Sequence, residues 1–299
     1  PLLHRSKASD IPLRQQVFQH VRACGRATRT DITRALDISA GSATTITADL
    51  ISSNLLREVV EEPAREQGRG RPPVALEVVS SAAYVIGIKL SFNIHSAVLS
   101  DFAGNSIATA TLPSSDQRRS HDKLLSEIQN LIGLLLEQSG KTLSDIKAVG
   151  VGLPGIVDKS SGAITWSSLL QNQSEDLRTV FANTFEIPFF FDNDTNMLTL
   201  AELWFGVGRD KTDFAVVTIE DGVGMGLVVN NQLYRGTHGM GLELGHTKVQ
   251  LDGALCRCGQ RGCLEAYLAD YALTREAAIA LDQVVTDMKG PKQLLDILF

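Results

Sequence analysis

The first 79 residues carry apolar positions at the spacing of short helices. Four of them recur about one turn apart and would form one buried stripe: Leu13, Val17, Phe18 and Val21. This periodicity predicts a helix over residues 12–24, which Gly25 ends. Thr30 is a capping residue, and Ile32 and Leu36 lie one turn apart after it, so a second short helix is expected there.

A third helix is predicted after Ser39, which is favoured at a helix N-cap. Its inner face would hold Ala43, Ile46, Leu50 and Ile51. Its outer face would hold small hydroxyl residues: Ser42, Thr44, Thr45 and Thr47. Short helices with a tight turn before the last one are typical of a helix-turn-helix, whose last helix enters the major groove of DNA.

Two predicted strands follow, at residues 55–60 and 74–78, and a basic linker joins them. The linker carries three arginines among glycines: Arg65, Arg69 and Arg71. Guanidinium groups on a narrow loop suit phosphates or a minor groove, so the linker is interpreted as a wing. Up to Leu76 the chain has 11 Lys and Arg against 8 Asp and Glu, which favours a polyanion as partner. The alternative is a protein-interaction or linker domain with a solvated arginine-rich loop.

The remaining residues alternate between strand-like and helix-like patterns. Residues 85–90 and 95–100 predict a β-hairpin, residues 121–140 an amphipathic helix, and residues 146–152 a buried strand. This order favours an α/β fold. No apolar run approaches the ~18–20 residues of a membrane helix, so we expect a cytoplasmic protein without a membrane partner.

Beyond Leu76 the balance is acidic, with 17 Lys and Arg against 26 Asp and Glu, which indicates a different partner. The apolar run 189–191 ends in polar residues that include Asn193 and Asp194, just before a predicted helix at 195–205. Strand tips in α/β sheets face ligand crevices. A carboxylate next to a carboxamide suits the recognition of hydroxyl groups. The alternative is that one of the two residues only caps the next helix.

Three of the four cysteines lie within eight residues: Cys256, Cys258 and Cys263. Together with His246 they supply three thiolates and one imidazole, which is the donor set of a closed tetrahedral zinc site. Because no coordination position stays open, the zinc is expected to be structural. The alternative is three free buried cysteines and an unrelated histidine.

Gly222, Gly224 and Gly226 alternate between two predicted strands, 214–219 and 227–231. They open a strand instead of a helix, so the dinucleotide-binding fingerprint does not apply. Two interpretations stay open for them: a loop that approaches phosphates, and a tight hairpin.

Several of these motifs together resemble the ROK family, which is named for repressors, open reading frames and sugar kinases. Residues 38–56, followed by GRGRPPVALEV, resemble the winged helix of its repressor branch. Glu243-x-Gly-His246 and the segment from Cys256 to Glu265 match the family signature residue for residue. The resemblance implies a winged helix-turn-helix at 1–79 and an actin-like, ribonuclease-H-like ROK domain at 80–299. Family members usually continue further, so the second lobe is expected to be incomplete.

The resemblance also implies roles for individual residues. In the sugar kinases of the family, the aspartate at the position of Asp194 is the general base that deprotonates the attacked hydroxyl. The hydroxyl-binding set would be Asn193, Asp194, Glu243, His246 and Glu265, and residues 166–172 would rim the cleft. A histidine can coordinate zinc and also contact a sugar hydroxyl, since its second ring nitrogen stays available as a donor. Alternatively, Glu243 and Glu265 only orient the zinc ligands.

One departure from the kinases decides the predicted function. They carry Asp-x-Gly-Gly-Thr where this chain has Lys89-Leu-Ser-Phe-Asn93. Loss of the acid and filling of the glycine positions should abolish phosphoryl transfer, which depends on positioning and charge neutralisation. The sequence therefore predicts a repressor, not an enzyme. It would bind an operator in double-stranded DNA as a homodimer or higher homo-oligomer and respond to a sugar or sugar-phosphate effector. The alternatives are a sugar kinase with an added DNA-binding module and a DNA-binding protein controlled by another protein.

Overall fold

The fold is described from a computed structural model, for residues 12–60, 74–114, 118–158, 161–171, 177–236, 239 and 241–280. The first unit contains three helices: α1 (Leu13–Cys24), α2 (Arg29–Leu36) and α3 (Ala40–Ser52). Its strands are β1 (Arg26–Thr28), β2 (Leu56–Val60) and β3 (Val74–Val78), which pair antiparallel in the order β1-β3-β2. The predicted helix and strand positions are confirmed, and β1 is an addition to them.

Local sequence fixes the ends of these helices. Gly25 ends α1 with a φ of 74°, a conformation that a glycine adopts without steric cost. The cap of α2 is Thr28 and not the predicted Thr30. The Thr28 hydroxyl accepts the Asp31 backbone N–H, and the Asp31 carboxylate accepts the Thr28 N–H, which forms a capping box. Ser39 caps α3 as predicted.

The placement of Thr47 on the outer face of α3 was wrong. Thr47 is fully buried, and its hydroxyl donates to the Ala43 carbonyl at 2.8 Å and accepts from Arg29 Nε at 3.0 Å. Residues four apart share a face of a helix, so Thr47 lies with buried Ala43 against α2. Thr44 and Thr45 are exposed and Ser42 is half-buried, as the outer face requires.

The second unit is built on a five-stranded mixed sheet in the order β10-β7-β4-β5-β6. Its elements are β4 (Tyr84–Lys89), β5 (Ile94–Asp101), β6 (Ser106–Pro113), α4 (His121–Ser139), β7 (Ile146–Leu153), α5 (Leu177–Phe185) and β10 (Phe189–Asn193). A two-stranded arm, β8 (Gly155–Val157) with β9 (Ile164–Ser167), follows β7. Strand β7 pairs parallel with both β4 and β10, so these three strands end at the same edge.

Apolar residues of the sheet and of the two helices form one core. In α4 the buried positions repeat at helical spacing: Leu124, Ile128, Leu131, Ile132 and Leu135. On α5 and β10, four phenylalanines pack together: Phe181, Phe185, Phe189 and Phe191. Within the described residues, no helix is both long and apolar enough to cross a bilayer.

The chain leaves this sheet through α6 (Asp194–Trp204) and enters a second, antiparallel sheet. The second sheet contains β11 (Phe214–Ile219), β12 (Val223–Val229) and β13 (Gln232–Tyr234). The short helix α7 (Glu265–Leu268) and then α8 (Asp270–Ala280) follow. The sequence pattern also predicts a helix over residues 270–288. Helix α8 begins at the first of these residues, and residues 281–288 lie outside the described part of the chain.

Two glycines of the alternating motif allow α6 to pack closely on β12. A Cβ at Gly226 would overlap the Thr199 hydroxyl, and a Cβ at Gly224 would overlap the Thr195 hydroxyl and lie 2.7 Å from Thr218 Oγ1. Both glycines lie inside β12. The hairpin interpretation holds for Gly222, which lies in the turn between β11 and β12.

A prediction follows from this packing. Gly226→Ala should lower the free energy of unfolding by about 1–3 kcal/mol, because the added methyl group overlaps a threonine held between α6 and β12. Gly133→Ala is the control, since that glycine lies on the exposed side of α4 with no atom within 4 Å of an added Cβ. The control should gain up to about 1 kcal/mol in urea unfolding, as a helical Gly→Ala change does. Equal stability of Gly226→Ala and the wild type would contradict the packing argument.

Candidate functional site

A cavity of about 480 Å³ opens where the first sheet, the β8–β9 arm and the second sheet meet. Residues from the loop after β4, the start of α6, the β11–β12 turn and the segments around residues 239–246 and 257–265 line it. All five residues expected to bind hydroxyl groups lie on its wall: Asn193, Asp194, Glu243, His246 and Glu265. The tertiary structure thus brings together residues that are up to 72 positions apart in the chain.

Asn193 and Asp194 reach the cavity because β10 ends and α6 begins between them. Asn193 Oδ1 accepts the Asn196 N–H at 3.1 Å, and Asn193 Nδ2 donates to the Gly155 carbonyl at 3.1 Å. Asn193 is therefore the N-cap of α6, as the alternative interpretation has it, and it also lies on the cavity wall. Burial raises the pKa of Asp194, while the Thr195 backbone N–H and the nearby Lys89 partly offset it.

The two glutamates of the motif differ in their surroundings. Glu265 is 9% exposed, and its Oε2 accepts the Val223 N–H at 3.3 Å while Oε1 lies 3.4 Å from Cys256 Sγ. Glu243 is more exposed and lies 3.9 Å from His246 Nε2. Burial raises the pKa of Glu243, the charge of His246 opposes that rise, and Glu265 adds to it. Glu265 contacts a predicted metal ligand directly, as the alternative interpretation of the glutamates requires, and it also lines the cavity.

The predicted metal ligands converge on one point. The ligand atoms of His246, Cys256, Cys258 and Cys263 all lie within 4.8 Å of one another. Cys258 Sγ and Cys263 Sγ are 3.7 Å apart, and Cys256 Sγ is 3.8 Å from His246 Nδ1. Thiolates that share a tetrahedral zinc ion at about 2.3 Å lie about 3.8 Å apart, so the donor set fits such an ion.

Burial and a neighbouring lysine act on the sulfurs of the cluster. Burial raises the pKa of the Cys256 thiol to about 12, and a bound cation is what converts such a thiol into a thiolate at neutral pH. Lys248 Nζ donates to Cys263 Sγ at 3.0 Å and so places a positive charge beside the sulfurs. Because His246 Nδ1 faces Cys256 and Nε2 faces Glu243, one ring nitrogen points to the ligand cluster and the other to the cavity side.

Two contacts join the loop after β4 to the β11–β12 turn. Lys89 forms an ion pair with Glu220, and Asn93 Nδ2 donates to Asp221 Oδ1 at 2.7 Å. The partners are 131 and 128 residues apart, so nothing in the local sequence pattern indicated Glu220 or Asp221. Ser91 and Phe92, between the two joined residues, line the cavity.

A buried ionic network supports this loop from behind. Glu127 of α4 pairs with Arg119 Nε at 2.8 Å and contacts His95 Nε2 at 3.2 Å, and His95 Nδ1 accepts the Ser91 N–H at 3.2 Å. Burial lowers the pKa of His95, which keeps the ring neutral with its proton on the nitrogen that faces Glu127. Sequence reasoning missed this network, because its members lie in different elements and form no motif.

The cavity also contains residues that sequence reasoning passed over. Arg118 and Arg257 line it, and the Arg257 guanidinium lies 4.2 Å from the ring centre of Tyr271. Arg257 lies between Cys256 and Cys258 in the sequence, so its position next to two predicted metal ligands could have indicated it as a site residue. Trp166, from the segment predicted to rim the cleft, is 45% exposed and lines the cavity as expected.

The residues predicted to contact DNA lie in the first unit. Thr44 and Thr45 are exposed side by side on α3, with the half-buried Ser42 one turn before Thr45. The Thr44 hydroxyl donates to the Ala40 carbonyl at 2.8 Å, and Thr47 faces the interior as described above. The linker arginines fall outside the described residues: Arg65, Arg69 and Arg71.

Comparison with known proteins gives one family. The sequence model of the ROK family matches residues 86–288. Among curated relatives, the xylose repressor of Caldicellulosiruptor bescii is 31% identical over 261 residues, which cover 87% of this chain and 64% of the relative. The DNA-binding transcriptional dual regulator NagC of Escherichia coli K12 is 27% identical over 89% of this chain and 64% of its own length. The chain thus spans about 64% of the curated relatives it matches.

Solved structures give the same fold. A ROK family transcriptional regulator, a homologue of the E. coli MLC protein, superposes with a TM-score of 0.71 at 24% identity and covers 90% of this chain and 67% of its own. A ROK family glucokinase from Streptomyces griseus, in complex with glucose and AMPPNP, gives a TM-score of 0.59 at 28% identity. It covers 67% of this chain and 62% of its own. The second unit therefore has the α/β fold that these regulators and sugar kinases share.

Replacing the half-buried carboxyl group of Asp194 should raise stability in a pH-dependent way. Burial raises the folded-state pKa, so the ionised group lowers the free energy of unfolding at neutral pH. Asp194→Asn should therefore stabilise the ligand-free protein at pH 7. The gain should shrink as the pH falls and be absent below about pH 3.9, where the carboxyl is protonated in both states.

The control for this prediction is Asp213→Asn. Hydrogen bonds from the Thr212 side chain and the Asn230 backbone lower the pKa of Asp213, so its ionised form stabilises the fold above the unfolded pKa. Its removal should not raise stability at pH 7 and should have the opposite sign to Asp194→Asn. Urea unfolding at several pH values measures both variants, and an Asp194→Asn protein less stable than the wild type at pH 7 would contradict the expected gain.

Proposed function

The chain belongs to the ROK family, and from that premise we propose that it is a DNA-binding transcription regulator that acts as a repressor. Its affinity for operator DNA would change when a sugar or sugar derivative binds in the cavity. The observation that carries the choice between regulator and kinase is the ion pair of Lys89 with Glu220 beside that cavity. The names of the curated relatives support the same choice.

Phosphoryl transfer needs a metal-binding acid and an open backbone cradle for phosphates. At the position of the kinase acid this chain has Lys89, whose ammonium group is held by Glu220. Asn93 donates a hydrogen bond to Asp221, and the Phe92 side chain forms part of the cavity wall. The two carboxylates of the turn are thus used in side-chain contacts, and the loop carries a cation where the reaction needs an anion.

The cavity has the groups that recognise a polyhydroxylated ligand. Carboxylates accept hydrogen bonds from hydroxyl groups, a carboxamide both donates and accepts, and the ring nitrogen of a histidine can donate. We assign hydroxyl contacts to Asn193, Asp194, Glu243, His246 and Glu265, which all line the cavity. Trp166 offers an exposed aromatic face at the rim.

The first unit, residues 1–79, is proposed as a winged helix-turn-helix, and residues 80–299 as the sensor domain. Three features of the first unit support the winged helix-turn-helix: the order of its helices, its three-stranded antiparallel sheet and its excess of Lys and Arg over Asp and Glu. The similar regulator structure covers 90% of the chain, whereas the glucokinase covers 67%, which is what a shared additional unit would give. Thr44, Thr45 and Ser42 on α3 would contact DNA, and Arg65, Arg69 and Arg71 complete the proposed set. A homodimer would read two spaced half-sites.

A sugar kinase stays the second candidate because of one observation. By the family resemblance Asp194 is at the position of the kinase general base, and it is half-buried in the cavity wall. A base by itself does not position a phosphoryl donor, so this candidate requires that nucleotide binds in spite of the Lys89–Glu220 contact. The two candidates therefore differ in a measurable reaction.

We further propose zinc as the metal of the four-ligand cluster. Three thiolates and one imidazole would hold it as a closed site and join the segment around His246 to the Cys256–Cys263 loop. When bound, the metal supplies no reaction and stabilises the fold, because no coordination position is open. Its effect on the cavity would come through His246, which it would fix in orientation.

The zinc assignment predicts a difference between two exposed cysteines. Cys258→Ser should remove the metal and lower the melting temperature, since one of four ligands is lost. Cys24→Ser should keep the metal, because Cys24 lies on α1, away from the cluster. Elemental analysis of the purified proteins measures the zinc content. A wild-type protein without zinc, or a zinc-replete Cys258→Ser variant, would refute the assignment.

The repressor function predicts that sugar changes DNA affinity. We expect the full chain to bind a duplex selected from a random library. One of D-xylose, D-glucose, N-acetylglucosamine or their phosphates should shift this affinity about 5- to 150-fold. Thr44→Ala with Thr45→Ala should weaken DNA binding. Thr184→Ala should not, although its hydroxyl makes the same bond to a carbonyl four residues earlier on α5.

The same preparation separates the second candidate from the first. Incubation with ATP and each sugar should give no sugar phosphate beyond the uncatalysed background. ATP-dependent phosphorylation of a sugar by the wild-type chain would support the kinase function instead. The absence of any DNA binding would refute the regulator function.

A further inference from the structure

The first unit packs against two different parts of the sensor domain. On one side, the Phe18 ring of α1 lies 4.9 Å from the Phe102 ring, in the turn after β5 of the five-stranded sheet. Phe102 and Ala103 pack against the apolar core of the first unit. This contact ties α1 to the first sheet.

On the other side, the C-terminal end of α1 contacts the segment that follows α6. The Arg22 guanidinium lies 4.5 Å from the centre of the Phe205 ring, and Arg209 Nη2 donates to the Ala23 carbonyl at 3.0 Å. Carbonyl groups in the last turn of a helix have no partner within the helix, so an arginine is a favourable donor to them. This contact, the α1–α6 joint, ties α1 to the element that carries the second sheet.

Helix α6 connects this joint to the cavity. It begins at Asp194, on the cavity wall, and runs for 11 residues, which is about 16 Å, to Trp204, next to Phe205. Both of its ends are fixed. Asn193 caps the first turn, and the Glu202 carboxylate accepts the Val207 N–H at 2.9 Å in the turn after the helix.

The helix also cannot slide on its sheet. Thr195 and Thr199 lie against Gly224 and Gly226 so closely that no Cβ fits between them, and Thr195 Oγ1 is 3.0 Å from Thr218 Oγ1 of β11. Helix α6 is therefore packed tightly against β11 and β12, while its Met197 also lies against Gly150 and Gly152 of β7 in the first sheet. A displacement of the second sheet and the C-terminal end of α6 relative to the turn that holds Phe102 must change either the Phe18–Phe102 contact or the α1–α6 joint, because α1 contacts both sides.

We propose that α6 transmits ligand binding from the cavity to the DNA-binding unit, and that Arg209 and Phe205 are the residues through which α1 receives it. This inference rests on the proposed function, since it needs a ligand in the cavity and a DNA-binding α1–α3 unit. A ligand that touches Asp194 on α6 and Ser91 on the first sheet has different contacts at different angles between the sheets, so it favours one angle. The coupling is reciprocal, so DNA binding changes sugar affinity by the same factor.

The test measures hydrogen exchange of the full chain with and without saturating sugar, from the same panel of D-xylose, D-glucose and N-acetylglucosamine. In the wild type, sugar should change deuterium uptake in peptides that cover residues 20–28. In Arg209→Ala with Phe205→Ala this change should be lost, while sugar affinity in titration calorimetry stays as in the wild type.

The matched control is Arg178→Ala. Arg178 also donates to a backbone carbonyl, that of Ser161 at 2.8 Å, and its guanidinium lies 5.8 Å from the Phe190 ring, but these contacts stay on α5, β10 and the arm. This variant should keep the sugar-dependent change at residues 20–28. A joint with a purely structural role would raise exchange there without sugar and leave the response to sugar intact.

The outcomes separate this inference from the proposed function. If the double variant keeps the sugar response, or if the wild type binds sugar without any change at residues 20–28, the transmission through α6 is refuted and sugar binding stands. If no sugar in the panel binds, the proposed function fails and this inference fails with it. Loss of the response only in the double variant supports the inference.

Discussion

Helix α6 and strand β12 approach each other closely enough for threonine hydroxyls to fill the space where side chains of β12 would lie. Thr195 and Thr199 meet Gly224 and Gly226, and any larger residue in the strand would separate the two elements. Interiors are packed as densely as crystals, so a contact of this kind does not slide. The position of the cavity wall, the attachment of the second sheet and the contact with α1 all depend on it, because α6 begins at the cavity and ends beside α1.

Three carboxylates of the cavity are partly withdrawn from water. Burial raises the pKa values of Asp194, Asp221 and Glu243, and the neighbouring charges and hydrogen-bond donors offset this only in part. A ligand with several hydroxyl donors would restore those hydrogen bonds. The contacts of Lys89 with Glu220 and of Asn93 with Asp221 partly compensate the carboxylates of the turn and join the loop after β4 to the β11–β12 turn. The carboxylates with raised pKa values thus lie together on the wall of one cavity.

The four-ligand cluster and the cavity share residues, since His246 and Cys258 belong to both. His246 faces Cys256 with one nitrogen and Glu243 with the other, and Glu265 reaches both Cys256 and the Val223 backbone. A cation in the cluster would fix the orientation of groups that a ligand meets.

The sequence by itself determined the local features. Apolar periodicity located α1, α3, α4 and β7, caps such as Ser39 and Gly25 set helix ends, and the spacing of three cysteines indicated the metal cluster, because each of these depends on residues close together in the chain. Thr47 was placed on the wrong face because the position of α2 decides which side of α3 is buried. Only the tertiary structure decided the Lys89–Glu220 pair, the His95–Glu127–Arg119 network and the contact of Arg209 with α1. Their partners are between 8 and 186 residues apart, most of them far apart, and packing between elements, which leaves no local pattern, brings them together.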